Sequence, residues 1–277
     1  MRRIILCVSL LCVLNQLLQS APPGCLDEKK LTEADRERAV QLMWQSLDRE
    51  TLFTYAGGLK PVNIGYDAIR IPADGSGDLK DVEQIRRISS AFECPGLFQA
   101  EVHHMDFIYD GKRSIQTVLF HLPHFREKLK RHADLFSPYG ITSSANPLEV
   151  MMAIEYARGG NASLMLGYLL GYPEDAVDFF HAASREQSRT GQFVKRNFLN
   201  PSSFDPRSFF VWAVPLGYKK TAADEAIFQC AETILAEYKL RRPQYFGDGK
   251  PGPFALLRDW LDAGFPSCSS TLQRGNQ

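Results

Sequence analysis

The sequence has no excess of either charge. Among 277 residues, 32 Lys and Arg stand against 32 Asp and Glu. Such a chain lacks the global electrostatic footprint of a nucleic-acid or anionic-lipid binder, so no nucleic-acid partner is expected. Past the N-terminus no run of 18 apolar residues occurs, which excludes a membrane span in the body of the chain. Internal repeats and long low-complexity linkers are absent, leaving no sign of a repeat array. The common catalytic signatures are missing too: there is no Walker A sequence, H-E-x-x-H, G-x-S-x-G or C-x-x-C.

What is present is ordinary for a globular protein: 44% hydrophobic, 11% aromatic and 23% charged residues. The first residues form an address. Arg2 and Arg3 give a positive start, residues 4–14 are apolar except Ser9, and Ser20-Ala21 precede Pro22-Pro23. This pattern predicts a secretory signal over 1–21 and a secreted or periplasmic location. Gly24-Cys25 offers a competing reading, a lipid anchor at Cys25, although Pro22 stands where the attachment motif wants Leu. Without the signal, 30 basic residues face 32 acidic ones, a formal charge of −2.

The mature part keeps Cys25, Cys94, Cys230 and Cys268, and Cys7 and Cys12 leave with the signal. Four cysteines in an exported chain allow two disulfides in three connectivities. Cys230 follows the helical stripe Ile227, Cys230, Ile234, Tyr238, where it reads as a buried small hydrophobe. Cys25 and Cys268 lie near the chain ends, where their pairing is allowed but not implied.

The hydrophobic pattern predicts many helices and few strands. Thr32 with Asp35, and Thr221 with Asp224, are capping-box-like starts of helices running to about residue 47 and about residue 238. Further helices are expected over 78–92, 124–135, 146–156, 174–185 and 254–261. An apolar segment spans 162–170. Strands are expected at 66–71 and 208–214. The clearest β signal is a hairpin, 97–109 and 113–122, joined by Asp110-Gly111. Together these give an α+β fold: one mainly helical domain over 26–266 on a small mixed or antiparallel sheet, then a polar tail at 267–277.

Two glycine motifs are turns on this reading. Residues 247–252 satisfy G-x-G-x-x-G but follow a helix, without the strand a dinucleotide site needs. Residues 74–78 start like a calcium loop, but Leu79 and Ile85 stand where Gly and Glu are required. Asn161-Ala162-Ser163 matches a glycosylation sequon, which matters only in a eukaryotic source.

Four of six histidines lie between residues 103 and 124. An ideal two-residue turn at Asp110-Gly111 sets His104 opposite Thr117, Asp106 opposite Ile115 and Ala100 opposite His121. His104 and Asp106 then share one face, and Glu101 and His103 the other. His121 lies about 13 Å further along at about 3.3 Å per residue, outside the same shell. His104 and Asp106 are thus the candidate catalytic pair, base and orienter. They are also the candidate ligands of a divalent metal whose third ligand must come from elsewhere. The same face carries Val102, Ile108, Ile115 and Leu119, which fits a structural hydrogen bond as well. The basic run Arg126, Lys128, Lys130, Arg131, His132 reads as a solvated helix face, and residues 167–173 as punctuation before a helix.

The expected function is therefore an extracytoplasmic binding or interaction protein. A hydrolase-like enzyme, metal-assisted through His104 and Asp106, is the alternative.

Overall fold

A computed structural model describes residues 22–157, 160–266 and 268. The expected signal segment, Cys7, Cys12 and all of the 267–277 tail but Cys268 lie outside the described residues. The fold is α+β as the pattern predicts, about 50% helix and 17% strand, with ten α-helices among the described residues.

The first α-helix among the described residues is α1 (Glu33–Leu47), which starts where Thr32 Oγ1 accepts from Asp35 N at 3.3 Å. The short, wholly buried α2 (Leu52–Tyr55), β1 (Val62–Pro72) and α3 (Lys80–Ser89) follow. Next come β2 (Phe98–Tyr109), β3 (Lys112–His121), α4 (Leu122–Arg131), α5 (Ala133–Phe136), α6 (Pro147–Tyr156) and α7 (Asn161–Leu169). The chain then runs through α8 (Glu174–Thr190), β4 (Arg196–Leu199), β5 (Trp212–Pro215), α9 (Ala222–Tyr245) and α10 (Pro253–Ala263).

Strands β1, β3 and β2 form an antiparallel sheet in that order. The central strand is apolar on both faces, and alternation divides its side chains between two cores. Val118 and Phe120 join Val62, Phe125 and Met165; Leu119 joins Tyr55, Phe92 and Phe98. Thr221 starts α9 with a complete capping box with Asp224. That helix continues past Tyr238 through Pro243, where Arg242 holds the Asp48 carboxylate with bonds of 2.8 and 2.9 Å. Of the expected strand at 208–214 only the end forms. Ser208 Oγ and Phe209 N are instead taken up by the Glu50 carboxylate, and the partner strand β4 carries no distinct sequence signal.

The hairpin turn is as expected, and the register beyond it is not. Asp110 and Gly111 have φ of 51° and 67°, and Tyr109 pairs with Lys112 and Ile108 with Arg113. A bulge at 105–107 then shifts the pairing by two residues, so His104 faces Ile115, Val102 faces Thr117 and Phe98 faces His121. The expected pairs His104–Thr117, Asp106–Ile115 and Ala100–His121 do not form. Arg113 sustains the bulge: its Nη1 donates to the Met105 and Asp106 carbonyls, the latter at 2.9 Å. A matching bulge lies in β1 between Ile64 and Ala68. There Thr117 Oγ1 accepts from Asp67 N at 2.8 Å and donates to Asp67 O at 3.0 Å.

Cys25 is bonded to Cys94 and Cys230 to Cys268. Each cysteine near a chain end therefore pairs with an interior one. Cys25 has no thiol left for a lipid, and Cys230 is a buried disulfide partner instead of a lone hydrophobe. No helix among the described residues is long and apolar enough to cross a membrane.

Candidate functional site

The structure does not bring His104 and Asp106 together. His104 lies exposed, on the side of Val102 and α3, with Arg86 and Arg113 near it. Its pKa is lowered by partial desolvation of the ring against the sheet, then by those two cations. Such surroundings oppose a bound cation as well. The bulge turns Asp106 the other way, within hydrogen-bonding reach of Glu155 on α6 and close to His103. His103 is buried, its Nε2 stands 3.5 Å from Glu155 Oε1, and neither ring nitrogen has a hydrogen-bond partner. Burial and then the Asp106 carboxyl push Glu155 up to about 7. Among the described residues no group of three or more His, Cys, Asp or Glu side chains is placed to hold a metal ion.

A cleft of about 580 Å³ opens elsewhere, between α4, the 57–61 loop, residues 171–175 and the start of α9. Helical spacing puts His124, Lys128 and Arg131 on the α4 face that lines it. Two glycines let the walls close in. At Gly58 (φ +59°) an added Cβ would stand 1.9 Å from His124 Nδ1, and at Gly171 (φ +81°) 2.0 Å from the Leu59 carbonyl oxygen. His124 Nδ1 lies 3.0 Å from the Gly58 carbonyl oxygen. Behind it, His121 Nδ1 accepts from His124 N at 3.3 Å; burial and then the neighbouring His124 push His121 down to about 3. The imidazole of His121 is therefore neutral and caps α4.

Most charges in the cleft are matched. Arg131 pairs with Glu174 at 2.8 Å, and Asp175 accepts from Tyr218 Oη at 2.6 Å. The side chains of half-buried Lys128 and exposed Glu127 are not: neither makes a direct hydrogen bond or ion pair among the described residues. The Lys128 pKa is lowered by burial, then by Arg131, against the opposing pull of Glu174 and Glu127.

Tyr172 also lines a smaller cavity of about 260 Å³. Its polar wall is a closed network. Lys60 Nζ donates to Asn63 Oδ1 at 2.9 Å, Asn63 Nδ2 donates to Thr51 Oγ1 at 2.6 Å, and Lys60 lies 3.7 Å from Glu50 Oε1. Ser208 Oγ and Phe209 N hold the other Glu50 oxygen at 3.2 and 3.0 Å.

The cleft joins two segments that each read as bland: the basic helix and the glycine-tyrosine stretch at 167–173. The available signal was the spacing of His124, Lys128 and Arg131, which marks a shared face but not what that face meets. No protein family, curated protein or solved structure matches the chain.

Proposed function

We propose that this chain is an exported binding protein that holds a small zwitterionic molecule, an amino acid or short peptide, in the cleft beside α4. One observation carries the reading: of the charged groups in a cleft of about 580 Å³, the two whose side chains make no direct hydrogen bond or ion pair among the described residues are one cation and one anion, Lys128 and Glu127. A partly desolvated ammonium that no carboxylate touches directly, with Glu174 and Glu127 acting on it only through space, gains when a ligand carboxylate reaches it. Glu127 offers the complementary position for an amino group. The volume falls within the usual range for small-molecule sites, about 300–1,000 Å³. Two disulfides and the lack of a spanning helix among the described residues are compatible with the secreted or periplasmic location that the N-terminal segment suggests.

The hydrolase alternative rests on His104 and Asp106, which face different neighbours across the bulge, and so has the weaker support. Titration calorimetry of the mature protein against the standard amino acids and a set of dipeptides tests the binding reading. Saturable binding of at least one zwitterion, lost when its amine is acetylated or its carboxylate amidated, is the expected outcome. Absence of binding by every member at millimolar concentration would overturn it.

A further inference from the structure

We propose a second, independent site: the cavity behind Tyr172 captures a small carbonyl compound, an aldehyde or 2-oxo acid, as an imine on Lys60. Lys60 is 3% exposed, yet it lines an open polar cavity of about 260 Å³ instead of being sealed in the core. A lysine held only as a structural ion would be expected to make a close charge-assisted bond, about 2.7–2.9 Å, to its carboxylate. Here Glu50 Oε1 stands 3.7 Å away, while Ser208 and Phe209 occupy its other oxygen. Asn63 Oδ1, at 2.9 Å, orients Nζ without supplying charge. Burial accordingly pushes the amine down to about 8, with Glu50 opposing the shift. The amine is fixed, largely dehydrated and beside a carboxylate able to relay protons, the arrangement an imine-forming lysine requires.

The chemistry balances without a redox partner. The neutral Lys60 amine attacks the carbonyl carbon: the C–N bond forms as the C=O π bond breaks, and one proton passes from the nitrogen to the alkoxide oxygen, giving a carbinolamine. Glu50 takes a proton from that nitrogen and delivers it to the hydroxyl, which leaves as water while the C=N bond forms. The cavity is smaller than the range for drug-sized ligands, which restricts the compound to a few carbons. Arg49 also lines the cavity, paired with Asp205 at 3.4 Å, and is the cation that would select a 2-oxo acid carboxylate.

The test uses the unmodified mature protein at pH 8, treated briefly with pyruvate or propanal and cyanoborohydride, then digested and mapped by mass spectrometry. An amine titrating near 8 has roughly a hundredfold more reactive free base at this pH than an ordinary lysine. Lys60 is therefore expected to be alkylated at least about tenfold ahead of the exposed Lys80 and Lys112. Preference for pyruvate or for propanal identifies the carbonyl class, and either one supports the site. Labelling of Lys60 no faster than Lys80 and Lys112, or none at Lys60, overturns it. The readout is independent of the cleft, since a Lys128→Met protein should label at Lys60 just as well.

Discussion

Gly58 and His124 compete for one space: a Cβ on residue 58 would lie 1.9 Å from His124 Nδ1, the atom that meets the Gly58 carbonyl oxygen at 3.0 Å. The glycine thus fixes the imidazole and the edge of the cleft together. Gly58→Ala meets two costs, the left-handed backbone (φ +59°), about 1–2 kcal/mol, and displacement of the ring. Urea denaturation should show a loss of at least that size, accompanied by loss of ligand binding in the cleft. An alanine variant as stable as the parent would show that the loop relaxes freely.

Thr117 is the plug of the β1 bulge. Its hydroxyl accepts from Asp67 N and donates to Asp67 O, so one side chain satisfies both backbone groups that the ladder leaves open. Thr117→Val keeps the shape and strands both groups. Since an unsatisfied buried group costs about 1–3 kcal/mol, a loss of about 2 kcal/mol or more is expected in equilibrium unfolding. Arg113 plays the corresponding part in the β2 bulge, but from a more exposed position.

These bulges explain what the sequence reveals and what it hides. The caps at Thr32 and Thr221 and the Asp110-Gly111 turn are local, made within three residues, and their spacing is enough to read them. The register three rungs from that turn is not local. It depends on Thr117 meeting Asp67 and on Arg113 reaching back to Met105, contacts that composition and periodicity do not encode. The turn alone therefore does not fix what lies opposite Asp106. Lys128 is hidden for a related reason. Helical spacing shows that it shares a face with His124 and Arg131, but the segments at 57–61 and 171–175 turn that face from a solvated surface into a cleft wall.

The two disulfides close loops of different length, with sequence separations of 69 for Cys25 and Cys94 and 38 for Cys230 and Cys268. In the chain-entropy account, removing either costs about 2–5 kcal/mol, the longer loop about 0.5 kcal/mol more. Paired Cys→Ala variants compared by denaturant midpoint should follow that order. Reduction of the native protein should lower its melting temperature.

Glu155 gives the fold a pH dependence of known sign. Its pKa in the fold is raised from 4.5 to about 7, by burial first and by Asp106 second. Between those values the native state holds the proton more tightly than the unfolded chain, so this group's contribution falls as pH rises from about 4.5 to 7 and is flat above. Glu155→Gln keeps a donor toward Asp106 and removes the charge. The variant should match the parent near pH 4.5 and exceed it at pH 8, by on the order of 1 kcal/mol because the carboxyl retains contact with water. Urea midpoints at the two pH values measure the difference, and an unchanged difference across the range would separate Glu155 from the pH response.

Lys128→Met separates a binding lysine from a structural one. The side chain is half-buried, its ammonium makes no direct hydrogen bond or ion pair among the described residues, and burial already disfavours its charge. Met retains the apolar stem and removes the desolvated charge, so the fold should lose nothing and gain up to about 1 kcal/mol. A lysine serving as a structural ion pair would show the opposite, a clear loss of stability. Binding should respond in the other direction. A charge-assisted hydrogen bond contributes about 1.5–3 kcal/mol, so affinity for the zwitterion should fall by about ten- to a hundredfold. Glu127→Gln supplies the second half of the comparison: it should weaken binding of the free amine but leave the affinity for an N-acetylated analogue unchanged. Stability held or raised together with affinity lost, read by thermal melts and calorimetry on the same samples, is the combination that only a ligand-facing Lys128 produces.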